Sequence, residues 1–303
     1  MKKIILDTDI LTDCDDAGAM AMLHAFANLG EIEILGIIVN GFDNNKKHSA
    51  VVSAINYYFN RPDIPIGITK RIKGEIPSKD SIYSKEIFEE YKHDGLLDSE
   101  RPNAVDTYEK ILSEQEDNSV TIVSIGFLTN LADLLKTENG KTLVAQKVKL
   151  ISIMGGRYPS GGEYNFNFDG TAKDTIAFIN NCPKSVPMIF TGFEFGIGVI
   201  TGKQYKQAPN SPMRRAYELA YDSINVGRPS WDQIALLYGA RGDCFNGKKM
   251  FELKYGINSI ADDGRNKWIS DNTSIHAYLK PAIPETEIAN IIEELMIAEP
   301  VFE

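Results

Sequence analysis

The chain has 303 residues, with 32 Lys and Arg against 42 Asp and Glu, a formal charge of −10, and 43% hydrophobic residues. This composition is ordinary for a globular protein with a sizeable core, and its acidity argues against nucleic acids and anionic membranes as partners, because these need clustered Lys and Arg. Three widely spaced cysteines without a Cys-x-x-Cys pair, and the lack of a long apolar run, favour a cytoplasmic protein over a disulfide-stapled, zinc-binding or membrane-spanning one.

Short apolar runs alternate with amphipathic stretches along the first two thirds of the chain. This alternation is typical of β-α-β units and predicts an α/β fold with a mostly parallel open sheet flanked by helices. Strands are predicted at 3–6, 34–39, 64–68, 120–125, 148–154 and 186–190. Helices are predicted at 16–28, 47–59, 105–114, 128–136 and 171–181.

After Gly202 the pattern loosens, and we predict helices at 213–222, 232–240 and 285–295 and a hairpin within 250–279. No internal repeat or linker interrupts the chain, so a single domain over residues 1–303 is expected. Residues 70–104 are charged and irregular, which is typical of either a lid or a surface insertion.

The densest chemical signal is a run of acids between the first strand and the first helix. Five carboxylates fall within ten residues and no basic residue separates them; they are Asp7, Asp9, Asp13, Asp15 and Asp16. Helix capping explains one or two of them. The others would repel one another and have raised pKa values unless a cation binds, and an all-oxygen site suits Ca²⁺ or Mg²⁺ rather than Zn²⁺.

Other polar residues follow the predicted strands. Asn40 and Asn44 come after the second strand, and glycine-broken segments follow the strands that end near Ile125 and Met154. Because ligands of open parallel sheets bind outside the carboxyl ends of the strands, these residues predict a polar, metal-containing pocket at that edge.

Two further segments belong to this edge. Residues 162–169 alternate polar and aromatic side chains; the segment is either a half-buried strand or a loop in which Glu163 and Asn165 together bind vicinal hydroxyls. Asp232 precedes an apolar helix and by itself is better explained as a helix cap. His24 lies within the first helix and is predicted to be packed. No Gly-x-Ser-x-Gly, Walker A or Gly-x-Gly-x-x-Gly motif is present.

Together these segments resemble the inosine-uridine-preferring nucleoside hydrolase family over nearly the whole chain. The family's opening signature corresponds to Asp7-Thr8-Asp9 and, after a longer turn, Asp15-Asp16-Ala17. Its second signature corresponds to Glu163-Tyr164-Asn165-Phe166-Asn167-Phe168-Asp169. Further matches are Thr129-Asn130, Met154-Gly155-Gly156 and the late Asp232.

The resemblance implies a Ca²⁺-dependent hydrolase that splits ribonucleosides into ribose and free base. It implies Ca²⁺ ligands at Asp9, Asp16, Asp232 and the main-chain carbonyl of Ile125, with Asp9 also the general base that activates a metal-bound water. It assigns ribose contacts to Asp15, Asp232, Glu163, Asn165 and either Asn40 or Asn44, with Met154 near the sugar. A homodimer or homotetramer is implied by the same likeness.

The chain departs from the family pattern where the leaving base would be protonated. Well-known members have a His immediately before the late Asp, and this chain has Trp231. An indole is no general acid, so Trp231 either stacks on the base or packs at the start of the helix. His276, Tyr158 and Arg157 are the alternative donors.

Two other functions are compatible with parts of this sequence. An Asp-x-Asp after the first strand also opens the haloacid-dehalogenase-type phosphohydrolases, but Leu11 stands where these have Thr or Val, and no late strand ends in paired Asp. The second is a non-catalytic, calcium-dependent nucleoside- or ribose-binding homologue, which the missing His favours.

Overall fold

The computed structural model describes residues 1–167 and 170–301. Its strands, numbered in chain order, are β1 Lys2–Thr8, β2 Ile32–Val39, β3 Phe42–Asp43, β4 Ile66–Ile68, β5 Ser78–Lys79, β6 Val120–Ser124, β7 Val148–Met154, β8 Ser160–Gly161, β9 Met188–Thr191, β10 Ile200–Thr201, β11 Arg228–Pro229, β12 Cys244–Phe245, β13 Lys248–Lys249, β14 Phe251–Ile260, β15 Asn266–Ser270 and β16 Ala277–Pro281.

The helices are α1 Asp15–Asn28, α2 His48–Tyr58, α3 Ser84–Glu90, α4 Ala104–Ser113, α5 Thr129–Leu134, α6 Glu138–Lys147, α7 Tyr164–Asn167, α8 Ala172–Asn181, α9 Phe193–Gly196, α10 Pro212–Leu219, α11 Ser223–Val226, α12 Trp231–Arg241 and α13 Glu285–Met296.

The central sheet has the strand order β4-β2-β1-β6-β7-β9-β16-β14-β15-β8. The strands from β4 to β16 in this order are parallel, and the pairs β16-β14, β14-β15 and β15-β8 are antiparallel. The inner strands carry continuous apolar runs because helices cover both faces of the sheet, as the fully buried Ile4, Ile5 and Leu6 show. The predicted α/β fold with a mostly parallel sheet is confirmed.

The predicted hairpin at 250–279 is a three-stranded antiparallel unit that extends the sheet. β14 pairs with both β15 and β16, and β16 returns beside β9 in parallel. The sequence pattern predicted strands in this region, but which strands of the sheet they pair with depends on tertiary packing.

Helix α1 is the centre of one face of the molecule. It is buried on nearly all sides from Asp15 to Phe26 and packs against α10, α12 and α13. A helix that is apolar all round belongs in the interior. This packing holds the amino ends of α1 and α12 close together at the carboxyl edge of the sheet.

The charged segment 70–104 is ordered. β5 pairs with β3, and α3 packs against α2. The Tyr83 hydroxyl donates a hydrogen bond of 2.6 Å to the carbonyl oxygen of Asp13, and so joins the segment to the acidic turn. Within the described parts of the chain, no helix has both the length and the apolar character that crossing a membrane requires.

His24 is packed, as predicted, and it gives a test of the buried face of α1. Its ring is fully buried, stacks on Phe59 at 4.5 Å and contacts Asn56 Oδ1 at 3.0 Å. Burial, aided by the charge of Arg61, lowers its pKa to about 3. The unfolded chain therefore binds a proton between about pH 6.5 and 3 that the folded chain does not, so stability falls as the pH drops through this window.

We expect His24→Gln to weaken this loss of stability in acid. Urea unfolding at pH 7.5, 5.5 and 4.5 measures the dependence, with His93→Gln as the control because His93 is not buried in the core. An unchanged pH dependence in His24→Gln would contradict the assignment.

Candidate functional site

A cavity of about 250 Å³ opens at the carboxyl edge of the sheet. Nine of the eleven residues predicted to form the site line it; they are Asp9, Asp15, Asp16, Ile125, Met154, Glu163, Asn165, Trp231 and Asp232. The parallel strands bring these segments together although they are far apart in sequence, as expected for a sheet of this topology.

The acidic side of the cavity is built from the end of β1 and from two helix starts. Asp9 follows β1, Asp15 and Asp16 begin α1, and Asp232 lies in the first turn of α12. The helix starts favour negative charge, but only weakly. Burial and the mutual charge of the carboxylates raise the pKa of Asp15, Asp16 and Asp232 well above the usual range.

The pKa of Asp9 is raised to about 8, first by burial and then by the charge of Asp15. The next residue, Ile10, has a positive φ of 37°, which is uncommon for a β-branched side chain. The Ile10 N–H donates to Asp16 Oδ1 at 3.1 Å. This turn thus fixes Asp16 beside Asp9 at the cost of local backbone strain.

Three of these acids form a group that could hold a cation. Asp15, Asp16 and Asp232 each offer one carboxylate oxygen, these oxygens lie within 4.8 Å of one another, and all three residues are buried. No ion pair within the described residues neutralises them. Buried carboxylates need a compensating charge, and an all-oxygen donor set fits a hard divalent cation such as Ca²⁺. The group includes Asp15, where the resemblance implied Asp9.

The sugar-binding residues of the second signature lie across the same cavity. Backbone N–H groups of Gly156 and Asn165 donate to the Glu163 carboxylate at 3.0 and 2.8 Å. Burial raises the pKa of Glu163 to about 7. The Asn165 side-chain nitrogen contacts the carbonyls of Ile125 and Met154 at 3.2 and 3.3 Å. Tyr164–Asn167 of this segment form the short helix α7 rather than a strand, and Glu163 lies in the loop before it. Phe168 and Asp169 lie outside the described residues.

Asn40 and Asn44, both described, do not line the cavity. The Asn40 side chain is fully buried; its nitrogen donates to Asp7 and its oxygen accepts from the Phe127 N–H at 3.0 Å. Asn44 is exposed and its oxygen accepts from Lys73 at 2.9 Å. Hydrogen bonds within the protein hold Asn40, and Asn44 lies outside the cavity, so a ribose contact from either residue stays a prediction that this geometry does not support.

Asp7 is a supporting residue behind the site. It is fully buried and accepts hydrogen bonds from Tyr108 at 2.7 Å, Asn130 at 3.3 Å and Asn40. Gly126 packs so closely here that a β-carbon would lie 2.6 Å from the Asp9 backbone nitrogen. These contacts join the ends of β1, β2 and β6.

An aromatic and basic wall completes the cavity. Trp231 stacks on Phe193 with ring centres 5.5 Å apart, and its indole N–H donates to the Phe193 carbonyl at 3.0 Å. Sequence reasoning assigned no site role to Thr12, Asp13, Lys79, Tyr164, Phe193, Tyr221 and Arg228, which also line the cavity. Thr12 and Asp13 belong to the acidic run and Tyr164 to the second signature, so these three had a signal. Lys79, Phe193, Tyr221 and Arg228 reach the cavity through tertiary packing, which no local pattern contains.

The three alternative proton donors lie elsewhere and do not line the cavity. The Tyr158 hydroxyl donates to the Gly155 carbonyl and accepts from Asn258, and its ring stacks on Tyr278. His276 Nδ1 accepts from the Met188 N–H at 3.0 Å. The guanidinium of Arg157 lies over the ring of Phe193. Their expected donor role is therefore not supported by their positions.

A second group of acids and a histidine is satisfied internally. His48 Nδ1 contacts Asp98 at 2.8 Å and its Nε2 contacts the Asn40 carbonyl at 3.3 Å. Asp43 accepts from the Ser84 hydroxyl and from backbone N–H groups. Both ring nitrogens are thus in use, and the group orders the loop behind the site.

Comparison with known proteins identifies the family of the chain. The sequence profile of the inosine-uridine preferring nucleoside hydrolases matches residues 4–257. Uridine nucleosidase 1 of Arabidopsis thaliana is 34% identical over 179 residues, which are 54% of this chain and 48% of that protein. The aligned region thus spans about half the length of this curated relative.

Solved structures share the fold at low sequence identity. A plant nucleoside hydrolase, PpNRh1, is 17% identical with a TM-score of 0.69, over 98% of this chain and 99% of the other. The inosine-uridine preferring nucleoside hydrolase of Bacillus anthracis is 12% identical with a TM-score of 0.67, over 98% and 99%. An inosine-guanosine nucleoside hydrolase is 16% identical with a TM-score of 0.71, over 99% and 100%. From the profile match across most of its length, the chain belongs to the inosine-uridine preferring nucleoside hydrolase family.

Proposed function

We propose that this protein hydrolyses the N-glycosidic bond of ribonucleosides to ribose and free base in a Ca²⁺-dependent reaction. The observation that carries the proposal is one cavity that joins a buried group of carboxylates to a pair of polar side chains suited to vicinal hydroxyls. Family membership supports a nucleoside as the substrate. It leaves the phosphohydrolase alternative without support.

Ca²⁺ would be held by Asp16 and Asp232 with Asp15 or Asp9, and by the carbonyl of Ile125. When bound, the ion supplies Lewis-acid polarisation and a fixed position for the attacking water. These carboxylates are buried and form no ion pair within the described residues, which supports this donor set.

The ribose hydroxyls would be bound by Glu163, Asn165, Asp15 and Asp232. Both oxygens of Glu163 are oriented by backbone N–H groups, so the carboxylate is fixed before the sugar arrives. Met154 lies beside Asn165, with its sulfur 3.2 Å from the amide nitrogen, and would contact the sugar.

Asp9 would act as general base and accept a proton from the water that attacks the anomeric carbon. Its side chain lines the cavity beside the three carboxylates that could hold the cation, which supports contact with a water bound there. The ribosyl group passes through an oxocarbenium-like state, whose positive charge the surrounding carboxylates stabilise.

Release of ribose from purine and pyrimidine ribonucleosides tests the proposal. We expect release from at least one nucleoside in Ca²⁺ and none after chelation. Nucleoside binding in Ca²⁺ without release from any member of the panel would instead support the non-catalytic binding homologue.

A homodimer or homotetramer stays a prediction, which light scattering checks.

Trp231 would stack on the departing base. Because its indole N–H is used by Phe193, the contribution of Trp231 is the face of its ring. We expect Trp231→Ala to raise KM about tenfold, from the usual free energy of base stacking on an aromatic ring. Trp231→Phe should retain KM within about threefold.

Steady-state kinetics on the preferred nucleoside measures both variants of Trp231. Equal loss in the Ala and Phe variants, together with a lowered melting temperature, would assign the ring to packing at the start of α12 instead.

A further inference from the structure

The cavity contains a guanidinium held at a fixed place beside Trp231. Arg228 lies in β11, which pairs with β10 just before α12, and its side chain lines the cavity. This ribbon ends at Pro229, two residues before Trp231. The position of Arg228 is therefore fixed relative to Trp231 by the backbone that leads into the helix.

The acidic turn holds one edge of this guanidinium. Nε of Arg228 donates to the two carboxylate oxygens of Asp13 at 2.8 and 3.0 Å, and Nη2 also donates to Asp13. Asp13 in turn accepts from the Cys14 N–H at 2.7 Å, and its carbonyl accepts from Tyr83. The longer turn between Asp9 and Asp15 thus supplies the residue that orients Arg228.

The other edge of the guanidinium has no such contact. Among the described residues, Nη1 of Arg228 has no hydrogen-bond partner, while the central carbon lies 4.4 Å from the Tyr221 ring centre and 5.5 Å from that of Trp231. Aromatic rings hold the plane of the cation, and only about a quarter of its side chain is exposed. Nη1 of Arg228 is thus an oriented, partly desolvated hydrogen-bond donor in the cavity, close to the ring of Trp231.

We propose that Arg228 is the leaving-group contact of this enzyme: its Nη1 hydrogen-bonds the departing base in the transition state. The inference rests on the proposed function, since a base stacked on Trp231 is what the guanidinium would contact. It concerns the part of the reaction for which the chain has no His at position 231.

The reaction balances without a general acid. As the oxygen of water bonds to the anomeric carbon, the C–N bond breaks and its electron pair leaves on the base nitrogen. Arg228 stabilises this developing anion by a charge-assisted hydrogen bond and keeps its own protons. Asp9 takes a proton from the water, and solvent gives one to the base.

The test compares two classes of leaving group in the intact protein. Uridine and inosine release poor leaving groups, whereas 4-nitrophenyl β-D-ribofuranoside releases a phenolate that needs little stabilisation. We expect Arg228→Gln to lower kcat for nucleosides roughly 10- to 100-fold, as loss of a hydrogen bond from a charged group predicts. For the nitrophenyl riboside the change should stay within about threefold.

Two further variants separate this role from packing. Arg228→Lys keeps the charge without the planar fork and should lose part of the nucleoside activity. Arg241→Gln removes an arginine paired with Glu31 at the far end of α12 and should leave both activities unchanged.

Equal loss on both substrates in Arg228→Gln, or loss on neither, overturns the inference. If Arg228→Gln does not fold, the same comparison is made with Arg228→Lys, in which kcat should depend more steeply on leaving-group pKa across substituted phenyl ribosides; an unchanged slope overturns the inference. Failure of the proposed function is seen separately, in wild-type protein that releases no ribose from any nucleoside, and this result would overturn both.

Discussion

Replacement of Asp9 by Asn is expected to lower ribose release by about a thousandfold, which corresponds to about 4 kcal/mol of transition-state free energy. Asp9 lines the cavity and is buried beside Asp15 and Asp16. An amide of nearly the same shape occupies the position but does not accept the proton of the attacking water. The measurement is kcat on the preferred nucleoside, with nucleoside affinity measured in parallel by calorimetry.

Affinity should change far less than turnover in Asp9→Asn, because Glu163 and Asn165 are untouched. Asp117→Asn is a matched control, since Asp117 is exposed and contacts only Lys147 in the described residues. An Asp9→Asn protein with a rate near that of the wild type would eliminate Asp9 as general base. Unchanged affinity with no turnover in either protein would support the binding homologue.

The fold was predictable where hydrophobic periodicity decides the structure. The predicted strand at 148–154 has the bounds of β7, and the predicted helix at 285–295 differs from α13 by one residue. The ten-stranded sheet was not predictable in the same detail. The insertion of β16 between β9 and β14 depends on contacts between residues distant in sequence, which a local pattern does not contain.

Part of the candidate site was likewise predictable from local sequence, and part of it was not. Acids at the end of β1 and at the start of α1 were recognisable because capping alone does not explain five carboxylates in ten residues. The position of Asn40 after a strand is compatible with both a ligand contact and a buried hydrogen bond to Asp7, and the structure shows the hydrogen bond. The place of Arg228 in the cavity could not be predicted from the sequence, because it depends on the contact with Asp13, which is 215 residues away in sequence.

Replacement of Asp232 by Asn is expected to remove most of the stabilisation of the protein by Ca²⁺. Saturating Ca²⁺ at a thousand times its dissociation constant adds about 4 kcal/mol to the stability of the wild type, or about 10 °C in melting temperature. Asp232 supplies one of the three oxygens that converge within 4.8 Å. Its loss should remove most of this shift, which thermal unfolding with and without Ca²⁺ measures, and Asp117→Asn should retain the full shift.

The same variant should be more stable than the wild type when no divalent cation is present. Without a cation, burial and the charges of Asp15 and Asp16 raise the pKa of Asp232 well above its usual range, so a carboxyl at this position opposes folding near neutral pH. The favourable interaction of Asp232 with the start of α12 is smaller, about 0.3 to 1 kcal/mol. This cost therefore outweighs the helix term, so Asp232→Asn should raise the melting temperature in chelator and lower it in Ca²⁺. If Asp232→Asn is destabilised equally in chelator and in Ca²⁺, Asp232 stabilises α12 and does not bind a cation. Loss of a Ca²⁺ ligand lowers stability only when the ion is present.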